Sequence, residues 1–172
     1  MRQHCVHLYY GDGKGKTTAA IGLAIRACGA GMRVGFLSFL KDGTSSECRI
    51  LQGLNGIEFF PCLNPVSFSF QMSAEEKKLA SAFYQSLLAE ASASHDFNMY
   101  ILDEAADACQ AKLLSEDLLL CFLQEKRAHA EIVLTGHQPS ARLFESADYI
   151  THMVSERHPY ERGTPARDGI ER

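Results

Sequence analysis

The stretch Tyr10-Gly11-Asp12-Gly13-Lys14-Gly15-Lys16-Thr17-Thr18 decides the fold of this 172-residue chain. An apolar, strand-like run from Cys5 to Tyr9 precedes it, and helix-forming residues from Lys16 to Cys28 follow it. The three glycines of the stretch let the backbone adopt positive φ and turn its amide groups inward, which makes a nest for an anion. The positive end of the following helix adds to that attraction. The stretch is therefore predicted to be a phosphate-binding loop between a strand and a helix.

Two side chains of this loop can bind phosphate or a metal ion. Lys16 can reach phosphate oxygens, and the Thr17 hydroxyl can ligate Mg²⁺. The usual pattern G-x-x-x-x-G-K-[ST] places a glycine where Tyr10 stands, so the loop fits only if Gly11 takes that role and one residue is missing before Gly15. A shorter loop should hold phosphates differently from an ordinary ATPase. The alternative is a glycine-rich turn without a ligand, but the strand before it and the helix after it favour the phosphate site.

Further strand-like runs alternate with helical patterns along the chain. They cover Arg33 to Leu40, Ile57 to Phe60, Met99 to Leu102, Ile132 to Leu134 and Tyr149 to Val154. Ser73-Ala74-Glu75-Glu76 is a capping box that begins a long helix toward Ala93. Strands separated by helices of this length pair in parallel through crossover connections. The sequence therefore predicts a three-layer α/β fold with a mainly parallel sheet in one domain, residues 1–172, with 156–172 as a loop-like C-terminal tail.

Acidic residues and a histidine follow two of the predicted strands. Asp103 and Glu104 end the run that begins at Met99, at the position where open α/β sheets bind their ligands. Beside a phosphate-binding loop, an acid there is the expected partner of a metal ion or a water. The alternative is a helix-capping Asp and a solvated Glu. Thr135-Gly136-His137 follows another strand and is expected at the same sheet edge, where His137 either contacts phosphate or is simply exposed.

Composition excludes several classes of protein. A hydrophobic share of 46% with 22% charged residues is typical of a folded globular protein rather than a disordered one. The net charge of −4 argues against general nucleic-acid binding, which usually needs a basic face. The six cysteines are scattered without a C-x-x-C pair, which favours reduced thiols. Because there is no signal-peptide pattern and no apolar run of about 18 residues, we expect a cytoplasmic protein that crosses no membrane.

These motifs together resemble a known family, the ATP:corrinoid adenosyltransferases, and within it the cob(I)alamin adenosyltransferases built on a phosphate-binding loop. The resemblance rests first on the loop and its helix, from Gly11 to Gly22, and on the run from Tyr100 to Glu104. The remaining matches are Leu134-Thr135-Gly136, Ala147 to Thr151, His158-Pro159-Tyr160, Ala166, Gly169, Ile170 and Glu171. They stand in the family's order and span nearly the whole chain. A loop one residue short is the family's own form.

The resemblance implies a RecA-like P-loop NTPase fold and transfer of the 5′-deoxyadenosyl group of ATP to the Co(I) of a corrinoid, with release of triphosphate. ATP and the corrinoid are the implied substrates, and Mg²⁺ or Mn²⁺ the implied metal. A homodimer and an electron-donating flavoprotein reductase are the implied partners. The C-terminal tail is expected to lie over the site.

Site residues also follow from the resemblance, position by position. The implied ATP-binding residues are Gly11, Asp12, Gly13, Lys14, Gly15, Lys16, Thr17, Thr18 and His137. The implied catalytic residues are Lys16, Thr17 and Glu104, and the implied metal ligands are Thr17, Glu104 and Asp103, without a choice between the two acids as the direct ligand. Phe68 and Phe70 match an aromatic pair placed against the lower face of the corrin.

The sequence departs from the family's pattern at three places. The family often has Trp where Phe70 stands, and an arginine commonly follows Thr-Gly where this chain has His137. An Asn often follows the acidic pair, whereas Ala105-Ala106-Asp107 follows it here.

Two other functions compete with the transferase. One is a P-loop ATPase or small-molecule kinase, in which the γ-phosphate is attacked, and the other is a non-catalytic corrinoid carrier that binds nucleotide. The short loop and the aromatic pair favour the transferase over the first. The complete set of Lys16, Thr17, Asp103 and Glu104 argues against the second.

Overall fold

A parallel β-sheet forms the centre of the protein. The computed structural model describes residues 4–62, 72–93 and 97–170. The strands of this part are β1 (Val6–Tyr10), β2 (Val34–Ser38), β3 (Ile57–Phe59), β4 (Met99–Asp103), β5 (Glu131–Gly136) and β6 (Tyr149–His152). Their spatial order is β3-β2-β4-β5-β1-β6, and every neighbouring pair is parallel. The predicted strands are confirmed, with ends that differ by only a residue or two.

Helices connect the strands and cover both faces of the sheet. They are α1 (Lys16–Gly29), α2 (Ser46–Leu51), α3 (Ala74–Ala93), α4 (Ala105–Gln110), α5 (Glu116–Lys126) and α6 (Ala141–Ser146), followed by a 3-10 turn at Pro159–Arg162. The capping box predicted for α3 is confirmed. The Ser73 amide donates to Glu76 Oε2 at 2.7 Å, and the Glu76 amide donates to Ser73 Oγ at 3.2 Å.

Two apolar clusters, one on each face of the sheet, hold the three layers together. Side chains alternate between the faces along a strand. On β4, Met99 and Ile101 therefore pack with α1, whereas Tyr100 and Leu102 pack with α3 and α5. Because both faces are covered, the central strands are continuous apolar runs, which is why they were visible in the sequence. The predicted three-layer α/β architecture is confirmed.

Strand order brings three chain segments to the same sheet edge. The carboxyl ends of all parallel strands lie along this edge, where ligands bind in such folds. Strand β5 lies between β1 and β4. The loop after β1 and the acidic residues after β4 are therefore separated by the width of one strand, and residues at the end of β5 can bridge them.

All six cysteines lie in the described residues as free thiols. In the same part of the chain, no helix combines the length and the apolarity that crossing a bilayer requires.

Candidate active site

The loop after β1 turns at two glycines. Gly11 and Gly15 have φ values of +115° and +109°, which residues with a Cβ rarely adopt. Gly15 is also the N-cap of α1 and has no side chain to cap the helix. The amide groups in the first turn of α1 are therefore left for an anion.

The chain that follows β6 packs directly against this loop. The Gly13 amide donates to the Met153 carbonyl at 2.8 Å, and the Ser155 amide donates to Asp12 Oδ1 at 3.1 Å. A Cβ at Gly13 would lie 2.7 Å from the Met153 carbonyl oxygen, and a Cβ at Gly11 would lie 2.3 Å from it. Close backbone contact thus requires glycine at both positions, and the positive φ requires it at Gly11 as well. The carboxylate of Asp12, a predicted ATP-binding residue, meets the backbone beyond β6.

Gly13→Ala is expected to displace the loop, because the added methyl group would meet backbone atoms of Met153 and Val154 at 2.7–2.8 Å. We expect the free energy of unfolding to fall by about 1–3 kcal/mol and the affinity for ATP to fall at least about tenfold. Gly22→Ala is the matched control. Nothing lies within 4 Å of a Cβ at this exposed position of α1, and alanine should stabilise the helix by about 0.5–1 kcal/mol. Thermal unfolding and calorimetric titration with ATP check both variants, and equal stabilities would contradict the close contact.

Lys16, the first residue of α1, folds back over the loop. Its Nζ donates to the carbonyl oxygens of Gly11 at 2.7 Å and Gly13 at 3.0 Å. These contacts hold the ammonium group at the mouth of the amide nest. The loop therefore concentrates positive charge where an incoming phosphate would meet the backbone amides.

Asp103, the last residue of β4, is fully buried and joins three neighbouring segments. Its Oδ1 accepts hydrogen bonds from the hydroxyl groups of Thr17 at 2.9 Å and Thr135 at 2.8 Å. Its Oδ2 accepts one from the Lys41 ammonium group at 2.8 Å. The structure thus brings the predicted residues Thr17 and Asp103 into direct contact.

The sequence did not identify Thr135 and Lys41 as residues that contact Asp103. Thr135 lies on β5, donates to Asp103 and accepts from the Glu104 amide at 2.8 Å. Lys41 follows β2, and its Nζ also lies 3.8 Å from Glu104 Oε1 and 3.7 Å from Glu47 Oε1. A signal for Lys41 was present, because it is the first charged residue beyond a buried strand of the predicted sheet.

Glu104 has an unusual backbone conformation and a perturbed carboxyl group. It is the N-cap of α4 with φ +59°, in the left-handed region that a non-glycine residue occupies at some cost. Burial raises the pKa of its carboxyl to about 7, against the opposing effect of Lys41 and with a contribution from Asp103. The Glu104 side chain is 28% exposed and lines a cleft over the loop, so its carboxylate is accessible to a ligand there.

His137 lies at the same edge, held by an acidic partner. Its backbone amide donates to Asp107 Oδ1 at 3.0 Å, and its ring Nδ1 lies 2.9 Å from Asp107 Oδ2. The side chain is 56% exposed. The structure therefore places His137 beside the loop, as expected, and identifies Asp107 as the residue that orients it.

A cleft of about 570 Å³ opens over the loop. Its lining includes the segment from Lys14 to Thr18, Lys41, Glu104, His137 and, from the C-terminal tail, Gly169 and Ile170. A second cleft of about 280 Å³ lies between the loop and tail residues 158–160 and 164–166. The described part of the tail therefore forms walls of both clefts.

Comparison with known proteins identifies the family of this chain. The family model described as ATP:corrinoid adenosyltransferase BtuR/CobO/CobP matches residues 2–172. The chain belongs to the ATP:corrinoid adenosyltransferase family. The resemblance inferred from the loop, the acidic pair and the later motifs is thereby confirmed. One strand separates the loop strand from the acid-bearing strand, as in a RecA-like P-loop fold.

Curated members of this adenosyltransferase family align with most of the chain. The corrinoid adenosyltransferase of Pseudomonas aeruginosa is 29% identical over 165 residues, which cover 95% of this chain and 81% of that protein. The Escherichia coli K12 corrinoid adenosyltransferase is 28% identical over 167 residues, covering 95% and 83%. Corrinoid adenosyltransferase CobA of Salmonella typhimurium is 27% identical over 167 residues, covering 95% and 83%.

Among solved structures, the replication initiator DnaA bound to AMPPCP and single-stranded DNA gives a TM-score of 0.48 at 14% identity, covering 87% of this chain and 40% of that one. This likeness is too distant to bear on the function.

Two departures from the adenosyltransferase pattern are in contact in this structure. His137 stands where the family commonly has arginine, and Asp107 lies in the segment where an Asn often follows the acidic pair. The two side chains hydrogen-bond to each other. A histidine alone is shorter than an arginine, and its contact with Asp107 fixes the ring at the cleft. Phe68 and Phe70, the predicted corrinoid-binding pair, lie outside the described residues.

The oxygen donors of the site suit a divalent ion that arrives with a nucleotide. The Thr17 hydroxyl and the carboxylates of Asp103 and Glu104 are hard donors, which Mg²⁺ and Mn²⁺ prefer. Across residues 4–62, 72–93 and 97–170, no group of three or more His, Cys, Asp and Glu side chains is arranged to hold a metal by itself. Mg²⁺ commonly takes one or two protein carboxylates and completes its shell with substrate phosphates and waters.

Glu104→Gln is expected to stabilise the protein at pH 8 and much less at pH 5. The native carboxyl has a pKa raised to about 7, so the native state keeps a proton that the unfolded chain has already released. The stabilisation that comes from this proton on the Glu104 carboxyl is fully present below about pH 4.5 and is lost as the pH rises through about 7. Because glutamine imitates the protonated form, the gain at pH 8 should be about 1–3 kcal/mol.

Urea unfolding at both pH values, without divalent ions, measures this effect. Glu90→Gln, at an exposed position of α3, is the control for replacing glutamate by glutamine and should change stability by less than about 0.5 kcal/mol. An equal change for Glu104→Gln at the two pH values would contradict the raised pKa.

Proposed function

We propose that this chain transfers the 5′-deoxyadenosyl group of ATP to the cobalt of a corrinoid and releases triphosphate. The observation that carries the proposal is the convergence of Lys16, Thr17 and Glu104 in one cleft, with the buried Asp103 hydrogen-bonded to Thr17 behind them. The adenosyltransferase family model matches this chain over residues 2–172. The loop supplies a triphosphate site, and the acids after β4 supply its metal ligands.

The proposed reaction is attack of Co(I) on the ribose C5′ carbon. The Co–C bond forms as the C5′–O bond breaks, and the triphosphate leaves with the bonding electrons. A reduced corrinoid is itself a strong nucleophile, so the protein needs no activated Ser, Cys or Lys. Catalysis then consists of holding the two substrates in line and stabilising the negative charge of the leaving group.

The residues of this chain divide that task. Lys16 and the loop amides bind the triphosphate and stabilise its charge as it leaves. Thr17 and Glu104, with Asp103 behind them, would hold Mg²⁺ or Mn²⁺, which neutralises phosphate charge when it is bound. Because Asp103 is fully buried whereas Glu104 lines the cleft, we assign the direct contact to Glu104 and the orientation of Thr17 to Asp103. His137 and the other loop residues complete the ATP-binding set.

The corrinoid side of the site belongs to the same proposal. Phe68 and Phe70 are proposed to lie against the lower face of the corrin and to exclude water and a lower axial ligand, which would make Co(II) easier to reduce. A flavoprotein reductase is the proposed electron donor, and the cytoplasm is the proposed location. For the homodimer, β6 offers an edge strand whose Tyr149 and Ile150 are 56% and 49% exposed.

A product assay tests the function. The protein, MgATP and chemically reduced cobalamin should yield adenosylated corrinoid and triphosphate in equal amounts. ADP and orthophosphate without a Co–C bond would favour an ATPase or kinase. Binding of both ligands without turnover would favour a carrier.

A further inference from the structure

The ammonium group of Lys41 lies among the oxygens that the proposed function assigns to a metal ion. Its Nζ is 2.8 Å from Asp103 Oδ2, 3.4 Å from Thr17 Oγ1 and 3.8 Å from Glu104 Oε1. A fourth oxygen, Glu47 Oε1, lies 3.7 Å away. One positive charge therefore already lies among these three carboxyl groups and offsets part of their negative charge.

Buried elements aim Lys41 at this position. Leu40, the residue before it, has φ +56°, a left-handed conformation that costs free energy in a residue with a Cβ. Its amide donates to the hydroxyl of Tyr84 at 3.0 Å, and Tyr84 is fully buried in α3. On the other side, the Phe39 amide donates to the Asp103 carbonyl at 2.9 Å. The lysine is thus held by packed neighbours, unlike an ordinary surface lysine.

A divalent ion and an ammonium group cannot share these oxygens. Both would lie within a few ångströms of Thr17 and Asp103, where like charges repel strongly in a partly buried site. Any ion that binds Thr17 and Glu104 must therefore displace Lys41. The displaced side chain can turn toward the phosphates of a nucleotide, which would attract its charge. Lys41 lines the same cleft as Lys16 and the loop.

We propose that Lys41 is an internal counter-ion that holds the divalent-cation position in the absence of nucleotide and leaves it when a metal–nucleotide complex binds. The inference rests on the proposed function for the identity of the metal ligands. Its consequence is that divalent ions bind only together with nucleotide, and that Lys41 then adds a charge to the triphosphate site. Lys41 is a positioning residue in the first state and a phosphate ligand in the second.

The test measures binding of Mn²⁺ alone, by electron paramagnetic resonance, to the full chain without nucleotide or corrinoid. The wild-type protein should bind Mn²⁺ weakly. Lys41→Gln should bind it at least about tenfold more tightly, because the competing charge is gone. Lys41→Arg keeps the charge and should stay as weak as the wild type. Lys77→Gln, which removes an exposed lysine of α3, is the control and should also stay weak.

A second substitution locates the ion. Adding Glu104→Gln to the Lys41→Gln protein should abolish the gain in Mn²⁺ affinity. Unchanged affinity in Lys41→Gln, or equal affinities in the Gln and Arg variants, would overturn the proposal. Tight binding of Mn²⁺ alone by the wild type that Glu104→Gln removes would also overturn it, and this measurement needs no folded Lys41 variant.

The product assay separates this inference from the proposed function. A protein that makes adenosylated corrinoid but shows no effect of Lys41 on Mn²⁺ affinity refutes the counter-ion alone. A protein with the expected Mn²⁺ pattern that releases ADP instead refutes the transferase alone.

Discussion

Lys16→Ala is expected to lower turnover at least about a hundredfold while the protein keeps its fold. The leaving triphosphate gains negative charge in the transition state, and Lys16 holds an ammonium group at the mouth of the amide nest through the carbonyls of Gly11 and Gly13. Alanine removes that charge without filling space. Among the described residues, Lys16 Nζ donates to backbone oxygens of its own loop and to no other group, so we expect little loss of stability.

Lys14→Ala is the matched control for this experiment. Lys14 belongs to the same loop and lines the same cleft, but its side chain is exposed. Its removal should cost much less turnover than the removal of Lys16. Formation of the Co–C bond measures activity, and far-ultraviolet circular dichroism with a thermal melt measures the fold. Near-normal activity of a folded Lys16→Ala protein would show that the loop does not bind the triphosphate.

Asp103→Ala is expected to lower the free energy of unfolding by about 3–5 kcal/mol. The buried carboxylate accepts hydrogen bonds from Thr17, Thr135 and Lys41. Without it, two hydroxyl donors lose their acceptor, and a largely buried ammonium group loses its nearest counter-charge. Activity should also fall, because Thr17 would no longer be oriented.

Asp117→Ala is the control, because it breaks an ion pair of the same length that lies at the protein surface. Asp117 and Arg142 are also 2.8 Å apart, but their side chains are 78% and 57% exposed. Its loss should cost less than about 1 kcal/mol. Urea unfolding of both variants gives the comparison, and equal losses would show that burial does not strengthen the Asp103 contacts.

The phosphate-binding loop and the strands could be predicted because their signals are local. The loop is a run of consecutive residues from Gly11 to Thr18, and the central strands are apolar runs because helices cover both faces of the sheet. The capping box at Ser73 and Glu76 is likewise contained in four residues. In each case the interacting groups are neighbours in the sequence.

The contacts of Lys41 and Thr135 could not be predicted in the same way. Both contact Asp103, but Lys41 follows β2 whereas Thr135 lies on β5, and only the order of the strands in space makes β4 their common neighbour. The left-handed backbone conformation of Glu104 could not be predicted either, because that conformation is typical of glycine and this residue is a glutamate. The pairing of His137 with Asp107 similarly depends on where α4 lies against β5. The roles of Phe68 and Phe70 stay predictions.

The hydrogen bond from Gly13 to Met153 links the glycine-rich loop to a segment that lies far from it in the sequence. A protein cut before Met153 would retain every residue of the glycine-rich motif yet lose the carbonyl that accepts the hydrogen bond of the Gly13 amide. A displacement of the segment after β6 would consequently reach the glycine-rich loop through this hydrogen bond and through the one from Ser155 to Asp12. An intact motif in the sequence is thus not enough by itself to set the shape of this loop.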